Sequence, residues 1–126
     1  MSVAVRVLIC DDSFGFPTIV LGWLNDDDRF EHVGTAETGR ELLGLAERVE
    51  VDAILLDLVL PDVDNPASLV SELRRKRPGV RILLVSSLAV PELERAAAAA
   101  GADGFCHKAI TAKALGDALY DVATRP

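Results

Sequence analysis

Short, nearly unbroken apolar runs alternate along this chain with longer segments whose apolar residues recur every three or four positions. The runs are Val5–Cys10, Val33–Ala36, Ala53–Asp57, Arg81–Ser86 and Gly104–His107. Val, Ile and Leu dominate the first, third and fourth of them, the pattern of strands buried on both faces, as in a parallel sheet. The segments between read as amphipathic helices. Phe16, Ile19, Val20, Trp23 and Leu24 share one apolar stripe, and Leu42, Leu43, Leu45, Ala46 and Val49 form the next. Leu69, Val70 and Leu73 make the third, before Pro78-Gly79 stops the helix. Pro91 opens the fourth and Gly101 caps its end. Residues from Ala112 to Ala123 make the last, with Leu115, Leu119 and Val122 inward. Every one of these stripes, Trp23 included, is read as core.

Strand and helix thus alternate through the whole chain, which implies a parallel sheet with right-handed crossovers and helices on both faces. The fold class is α/β, three-layered and doubly wound, with five βα units. No repeat, low-complexity tract or linker interrupts it. Residues 1–126 are expected to form one domain with a core from about 5 to 123 and no effector domain.

Composition narrows the partners. The net charge is −7, which repels nucleic acid unless a local basic patch overrides it. The one basic run, Arg74-Arg75-Lys76-Arg77, reads as a solvated helix end with cations at the negative pole of the dipole. No apolar run approaches the ~18 residues of a membrane span, and the opening residues lack a signal-peptide layout. A cytoplasmic protein with no membrane contact is expected. Cys10 and Cys106, on strands separated by two others, lie about 14 Å apart by the usual strand spacing, too far for a disulfide. Both read as small buried hydrophobes. His32 and His107 read as surface or packing residues.

The chemistry collects at the strand ends. Asp57 interrupts an apolar run where charge is most costly. The first run ends in Asp11-Asp12, the fourth in Ser86-Ser87, and Lys108 follows the fifth. In an open parallel sheet, ligands bind beyond the carboxyl ends of the strands where strand order reverses. With strand order 2-1-3-4-5, strands one and three are neighbours, and Asp11, Asp12 and Asp57 share one shallow pocket. Such carboxylates repel one another unless a cation sits among them; hard oxygen ligands suit Mg²⁺, with Mn²⁺ as the alternative. Alone, Asp11-Asp12 would read as a helix N-cap pair; convergence with Asp57, Ser86 and Lys108 makes a site. Metal, ammonium and hydroxyl would surround a place for a phosphoryl group, and a carboxylate can attack phosphorus to give an aspartyl phosphate.

The stretches "LICDDS" around Asp11 and Asp12, "LLDLVLPD" around Asp57, "LLVSS" around Ser86 and "AGADGFCHK" ending in Lys108 together resemble the response-regulator receiver domain of two-component signalling. The resemblance covers about Val5 to Ala123 and implies the flavodoxin-like (CheY-like) fold. It implies that Asp57 is the phospho-acceptor and that Asp11, Asp12 and Asp57 bind the metal with the backbone carbonyl of Val59. It further implies that Lys108 assists catalysis, and that Ser86 and Phe105 form the switch pair acting on the surface of the fourth helix, fifth strand and fifth helix. The implied partners are a sensor histidine kinase or phosphotransfer protein, and a second copy bound through that surface or through helices one and five. Small residues Ala114, Gly116 and Ala118 would permit close helix approach there.

Several positions depart from the family pattern. Ala109 follows the lysine where many members have a cis proline, so a trans bond is expected. This, with "FEHVGTAETGREL" around the second strand, resembles the NarL/LuxR subfamily, whose members carry a DNA-binding output domain and act as transcriptional regulators. Asn65 stands where glycine is frequent and reads as an N-cap before Pro66. The resemblance also implies that the residues two past acceptor and switch hydroxyl influence dephosphorylation; here these are Val59 and Leu88, apolar and unable to orient a water, so a long-lived phosphoryl state is expected. Phe14-Gly15-Phe16-Pro17 is unusually apolar for a loop beside an acidic pocket, and Pro17 is expected to reshape the first helix. Two other functions stay open at this point: a pseudo-receiver binding module independent of phosphorylation, and a small Mg-dependent phosphatase. The latter would normally carry Asp-x-Asp after the first strand, where this chain has Asp11-Asp12-Ser13.

Overall fold

The computed structural model describes residues 3–126. The chain runs β1 (Val5–Cys10), α1 (Phe16–Asn25), β2 (Phe30–Ala36), α2 (Gly39–Arg48), β3 (Ala53–Asp57), α3 (Pro66–Lys76), β4 (Arg81–Ser86), α4 (Val90–Ala100), β5 (Gly104–His107) and α5 (Ala112–Thr124). The strands make one sheet in the order β2-β1-β3-β4-β5, and every pairing is parallel. This is the doubly wound α/β architecture that the alternating pattern predicts, with the strand order of the flavodoxin-like fold that the resemblance implies.

Pleat parity divides the core. Leu8, Cys10, Ile54, Leu56, Ile82 and Leu84 face one side with Leu42, Leu69, Leu73 and Leu93 of α2, α3 and α4. Val7, Ile9, Leu55, Leu83, Val85 and Cys106 face the other with Val20 and Leu24 of α1 and Leu115, Leu119 and Val122 of α5. Cys10 and Cys106 are therefore on opposite faces, both buried and free. Parity continues into the polar residues. Asp11 follows Val7 and Ile9, and Asp57 follows Ala53 and Leu55, so both leave the sheet toward α1 and α5. Ser86 follows Ile82 and Leu84 toward the other layer, where Phe105 also packs.

Two expectations need correction. The second strand begins at Phe30 rather than Val33. It is an edge strand with Glu31 and Thr35 exposed, so no unbroken apolar run marks it. Its register with β1 slips between Val7 and Leu8, leaving Val33 as the extra residue of a bulge. The stripe on α1 is narrower than predicted: Val20 and Leu24 are buried, Phe16 and Trp23 are half-buried, and Ile19 is 53% exposed.

Local signals explain the helix ends. Thr38 caps α2 by accepting the Glu41 amide, Asn65 caps α3 by accepting that of Ala67, and Thr111 caps α5 by accepting that of Ala114. Asn65 does this with φ −128°, in extended backbone. The Asp62 carboxylate, in the loop after β3, also accepts the Gly39 and Arg40 amides at 2.8 and 3.0 Å. Gly101 ends α4 in the left-handed conformation at φ 76°. The basic run is only partly solvated. Arg74 donates to the carbonyls of Val80 and Gly101 at 2.9 and 2.7 Å, and Arg77 donates to that of Ala46 at 2.7 Å. Gly116 accommodates the chain's own Arg29, since a Cβ there would lie 2.9 Å from its Nη2. No helix among the described residues is long and apolar enough to cross a membrane.

Candidate functional site

Register builds the site. Cys10 pairs with Leu56 across β1 and β3, so Asp11, one step past Cys10, emerges beside Asp57. Asp57 pairs with Val85 of β4, and Ser86 pairs with His107 of β5, which brings Lys108 to the same edge. Asp11, Asp12 and Asp57 each offer a carboxylate oxygen, and these three oxygens lie within 4.8 Å of one another. Asp11 is 1% exposed and Asp57 7% exposed, while Asp12 faces solvent.

Lys108 bridges the two buried acids. Its Nζ lies 2.8 Å from Asp11 Oδ2 and 3.4 Å from Asp57 Oδ2. Asp11 Oδ2 has the Lys108 ammonium as its polar partner, while Oδ1 accepts from the Ser13 amide at 2.7 Å and from the Ser13 hydroxyl. Asp57 Oδ1 accepts the Val59 amide at 3.3 Å. Burial first, then the neighbouring Asp11 charge, push the Asp57 carboxyl above its usual range, and Lys108 only partly opposes them. Burial draws the Lys108 ammonium down, but its contacts with Asp11 and Asp57 outweigh that and hold it above its usual value. One amine therefore faces more negative charge than it neutralises.

Three carboxylate oxygens within 4.8 Å of one another, one of the acids with a raised pKa and another open to water, suit a hard divalent cation bound by oxygen and water. The Val59 carbonyl belongs to the loop directly after Asp57. Ser86 is buried, and its hydroxyl oxygen accepts the Leu88 amide at 3.1 Å rather than meeting Asp57. Phe105 is half-buried against the α2–α3–α4 core. The structure thus brings Asp11, Asp12 and Asp57 within 4.8 Å of one another, pairs Lys108 with Asp11 and Asp57, and leaves Ser86 and Phe105 toward the α2–α3–α4 layer.

Three neighbours escaped the sequence reading. The Ser13 hydroxyl lies between Asp11 and Lys108, 3.4 Å from Nζ. The Phe16 ring centroid is 5.0 Å from Nζ. His107 ties two loops together: Nε2 meets the Ser87 carbonyl at 3.1 Å, and Nδ1 accepts the Ala109 amide at 2.9 Å. That amide exists because residue 109 is not proline, and no peptide bond among the described residues is cis. Ser13 beside the acid pair and His107 next to Lys108 were the available signals; Phe16 against Lys108 and His107 against Ser87 are tertiary contacts.

The family model for the response regulator receiver domain matches residues 7–120. The chain belongs to that family. It is 30% identical over 122 residues to the chemotaxis protein CheY of Halobacterium salinarum, covering 97% of this chain and 99% of that protein. It is 26% identical over 117 residues to the response regulator VraR of Staphylococcus aureus, covering 93% of this chain and 56% of VraR. Among solved structures, the signal receiver domain of NarL from Mycobacterium tuberculosis superposes with a TM-score of 0.88 at 30% identity, covering 99% of this chain and all of that one. A Burkholderia pseudomallei response regulator with a phosphorylated aspartic acid, a calcium ion and citrate superposes with a TM-score of 0.76 at 26% identity, covering 95% of this chain and 69% of that one. The chain is thus a receiver domain of two-component signalling, a signalling domain with both stand-alone chemotaxis and NarL/LuxR-type relatives. It spans little more than half the length of VraR.

Proposed function

We propose that this receiver accepts a phosphoryl group on Asp57 from a sensor histidine kinase or phosphotransfer protein, in a reaction requiring Mg²⁺ or Mn²⁺. The observation that carries the proposal is a buried carboxylate at the end of β3, held between the Asp11 carboxylate and the Lys108 ammonium. The Burkholderia relative, with its phosphorylated aspartic acid and bound cation, supports the same reading. Asp11, Asp12, Asp57 and the Val59 carbonyl would hold the metal. When bound, it would offset the charge on the transferring oxygens. An Asp57 oxygen forms the O–P bond while the P–N bond to the donor histidine breaks, its electron pair returning to the imidazole. Lys108 turns from a pair of carboxylates to the new phosphoryl oxygens. Ser86 releases the Leu88 amide and donates to the phosphoryl group, Phe105 follows, and the surface of α4, β5 and α5 changes.

That surface, or the face of α1 and α5, would engage an output partner or a second copy. The reaction belongs in the cytoplasm, and residues 1–126 would act as one receiver domain. By analogy with VraR, the receiver could serve as the input half of a transcriptional regulator. A phosphorylation-independent module or a small phosphatase gains no support, since the acid pair, acceptor and lysine are all retained and the relatives are response regulators. The test is intact-mass analysis after incubation with acetyl phosphate. One phosphoryl mass should appear with Mg²⁺ and vanish with chelator or in Asp57→Asn. Gain of the same mass by Asp57→Asn would overturn the assignment.

A further inference from the structure

The stretch Phe14-Gly15-Phe16-Pro17 has an unusual construction beside the acidic pocket. Gly15 stands at the start of α1 with φ 98° and gives no side-chain cap, a conformation that residues with a Cβ rarely adopt. Pro17 occupies the first turn and fixes the backbone just after it. Phe14, before Gly15, is turned fully into solvent, while Phe16, between the two constraints, is half-buried. The Phe16 ring then lies against Lys108, with Nζ 5.0 Å from its centroid.

Lys108 needs such a contact. Its ammonium sits on a flexible four-carbon stem, between Asp11 Oδ2 at 2.8 Å and Asp57 Oδ2 at 3.4 Å. The shorter contact is with the acid that does not become phosphorylated. A third carboxylate would hold the amine but also compete with an incoming phosphoryl group. An aromatic face attracts the cation without adding formal charge and tolerates movement across the ring.

We propose that Phe16 is a positioning residue for Lys108: the ring, aimed by Gly15 and Pro17, keeps the ammonium against Asp57 and ready to pair with an arriving phosphoryl group. The inference rests on Asp57 being the acceptor. Phe16 reaches the phosphoryl group through Lys108, so it should bear on that group more than on the metal.

The test compares Phe16→Leu, Phe16→Tyr and wild type by three readouts. The first is NMR of the Lys108 Hε protons, which a ring beneath the ammonium moves upfield. The second is affinity for trifluoroberyllate, a phosphoryl mimic, in saturating Mg²⁺. The third is affinity for Mg²⁺ alone, followed by Trp23 fluorescence. Phe16→Leu should abolish the upfield shift and weaken trifluoroberyllate binding about two- to fivefold, the weight of one cation–π contact. It should change Mg²⁺ affinity less than trifluoroberyllate affinity, since Lys108 faces the acids that hold the metal while the phosphoryl mimic meets it directly, and Phe16→Tyr should restore both losses. The proposal is overturned if wild type shows no upfield shift, if Phe16→Leu binds trifluoroberyllate as wild type does, or if it loses Mg²⁺ and trifluoroberyllate affinity in parallel. A wild type with the shift but without trifluoroberyllate binding would instead refute Asp57 as acceptor, separating that failure from a failure of the ring contact.

Discussion

Replacing Asp57 with asparagine is predicted to stabilise the metal-free domain. In the folded state the Asp57 carboxylate meets two acids through oxygens no more than 4.8 Å away, and one ammonium at 3.4 Å. At an effective dielectric of about 20, the buried Asp11–Asp57 repulsion is about 3.5 kcal/mol and the Lys108 attraction about 5 kcal/mol. Asp12 faces water, so its repulsion is roughly halved to about 1.7 kcal/mol. These contributions nearly cancel, and the cost of burying the charge then decides the sign, in agreement with the raised Asp57 pKa. Asn keeps an oxygen to accept the Val59 amide and removes the charge. The expected gain is about 1 kcal/mol, or about 3–6 °C in melting temperature for a domain of this size. A carboxyl whose folded pKa is raised adds stability when protonated and loses it as pH rises through that pKa. The advantage of Asp57→Asn should therefore be full at pH 7 and shrink in acid, where protonated Asp57 resembles Asn. Calorimetry in chelator, repeated across pH, measures this. An Asp57→Asn variant that melts at or below the wild-type temperature at pH 7 would refute the electrostatic reasoning.

Other outcomes follow from particular contacts. Burial pushes the Cys106 thiol up to about 11 and raises that of Cys10 as well; neither should react with a thiol reagent in the native state at pH 8, and both should react on unfolding. Asp52 accepts the Arg6 amide at 2.8 Å and its guanidinium at 3.0 Å, which holds its carboxyl below the usual range. Asp52→Asn should cost about 1 kcal/mol of unfolding free energy at pH 7 for this half-exposed pair, and the difference should vanish as pH falls through the depressed pKa; a constant difference would contradict it. Val59 and Leu88 are exposed apolar residues unable to orient water, so phosphoryl loss followed by mass should extend well beyond seconds without a phosphatase, and Val59→Asn should hasten it. Loss within seconds in wild type would show that a different group orients the attacking water.

What the sequence could reveal was set by how directly each feature depends on neighbours in the chain. Continuous Val, Ile and Leu runs mark β1, β3 and β4 because both faces of those strands are buried. The strand ends then place Asp11, Asp57 and Lys108 together, since register and pleat follow from the sheet order. The first half of β2 was not legible: an edge strand keeps polar residues on its open side, and the bulge at Val33 breaks the alternation. Ile19 was misplaced because helical spacing alone cannot say how wide a buried stripe is. Asp62 capping α2, His107 reaching the Ser87 carbonyl, and Phe16 against Lys108 are contacts between segments far apart in the chain. No local spacing encodes them.

The account depends above all on which atom takes the phosphoryl group. Treatment with acetyl phosphate and Mg²⁺, reduction with borohydride and tandem mass spectrometry would locate it, because an acyl phosphate is reduced to the alcohol at its own position. The predicted result is reduction of Asp57 to homoserine, with Asp11 and Asp12 unchanged. Reduction at another residue, or none while the protein binds Mg²⁺, would contradict the account.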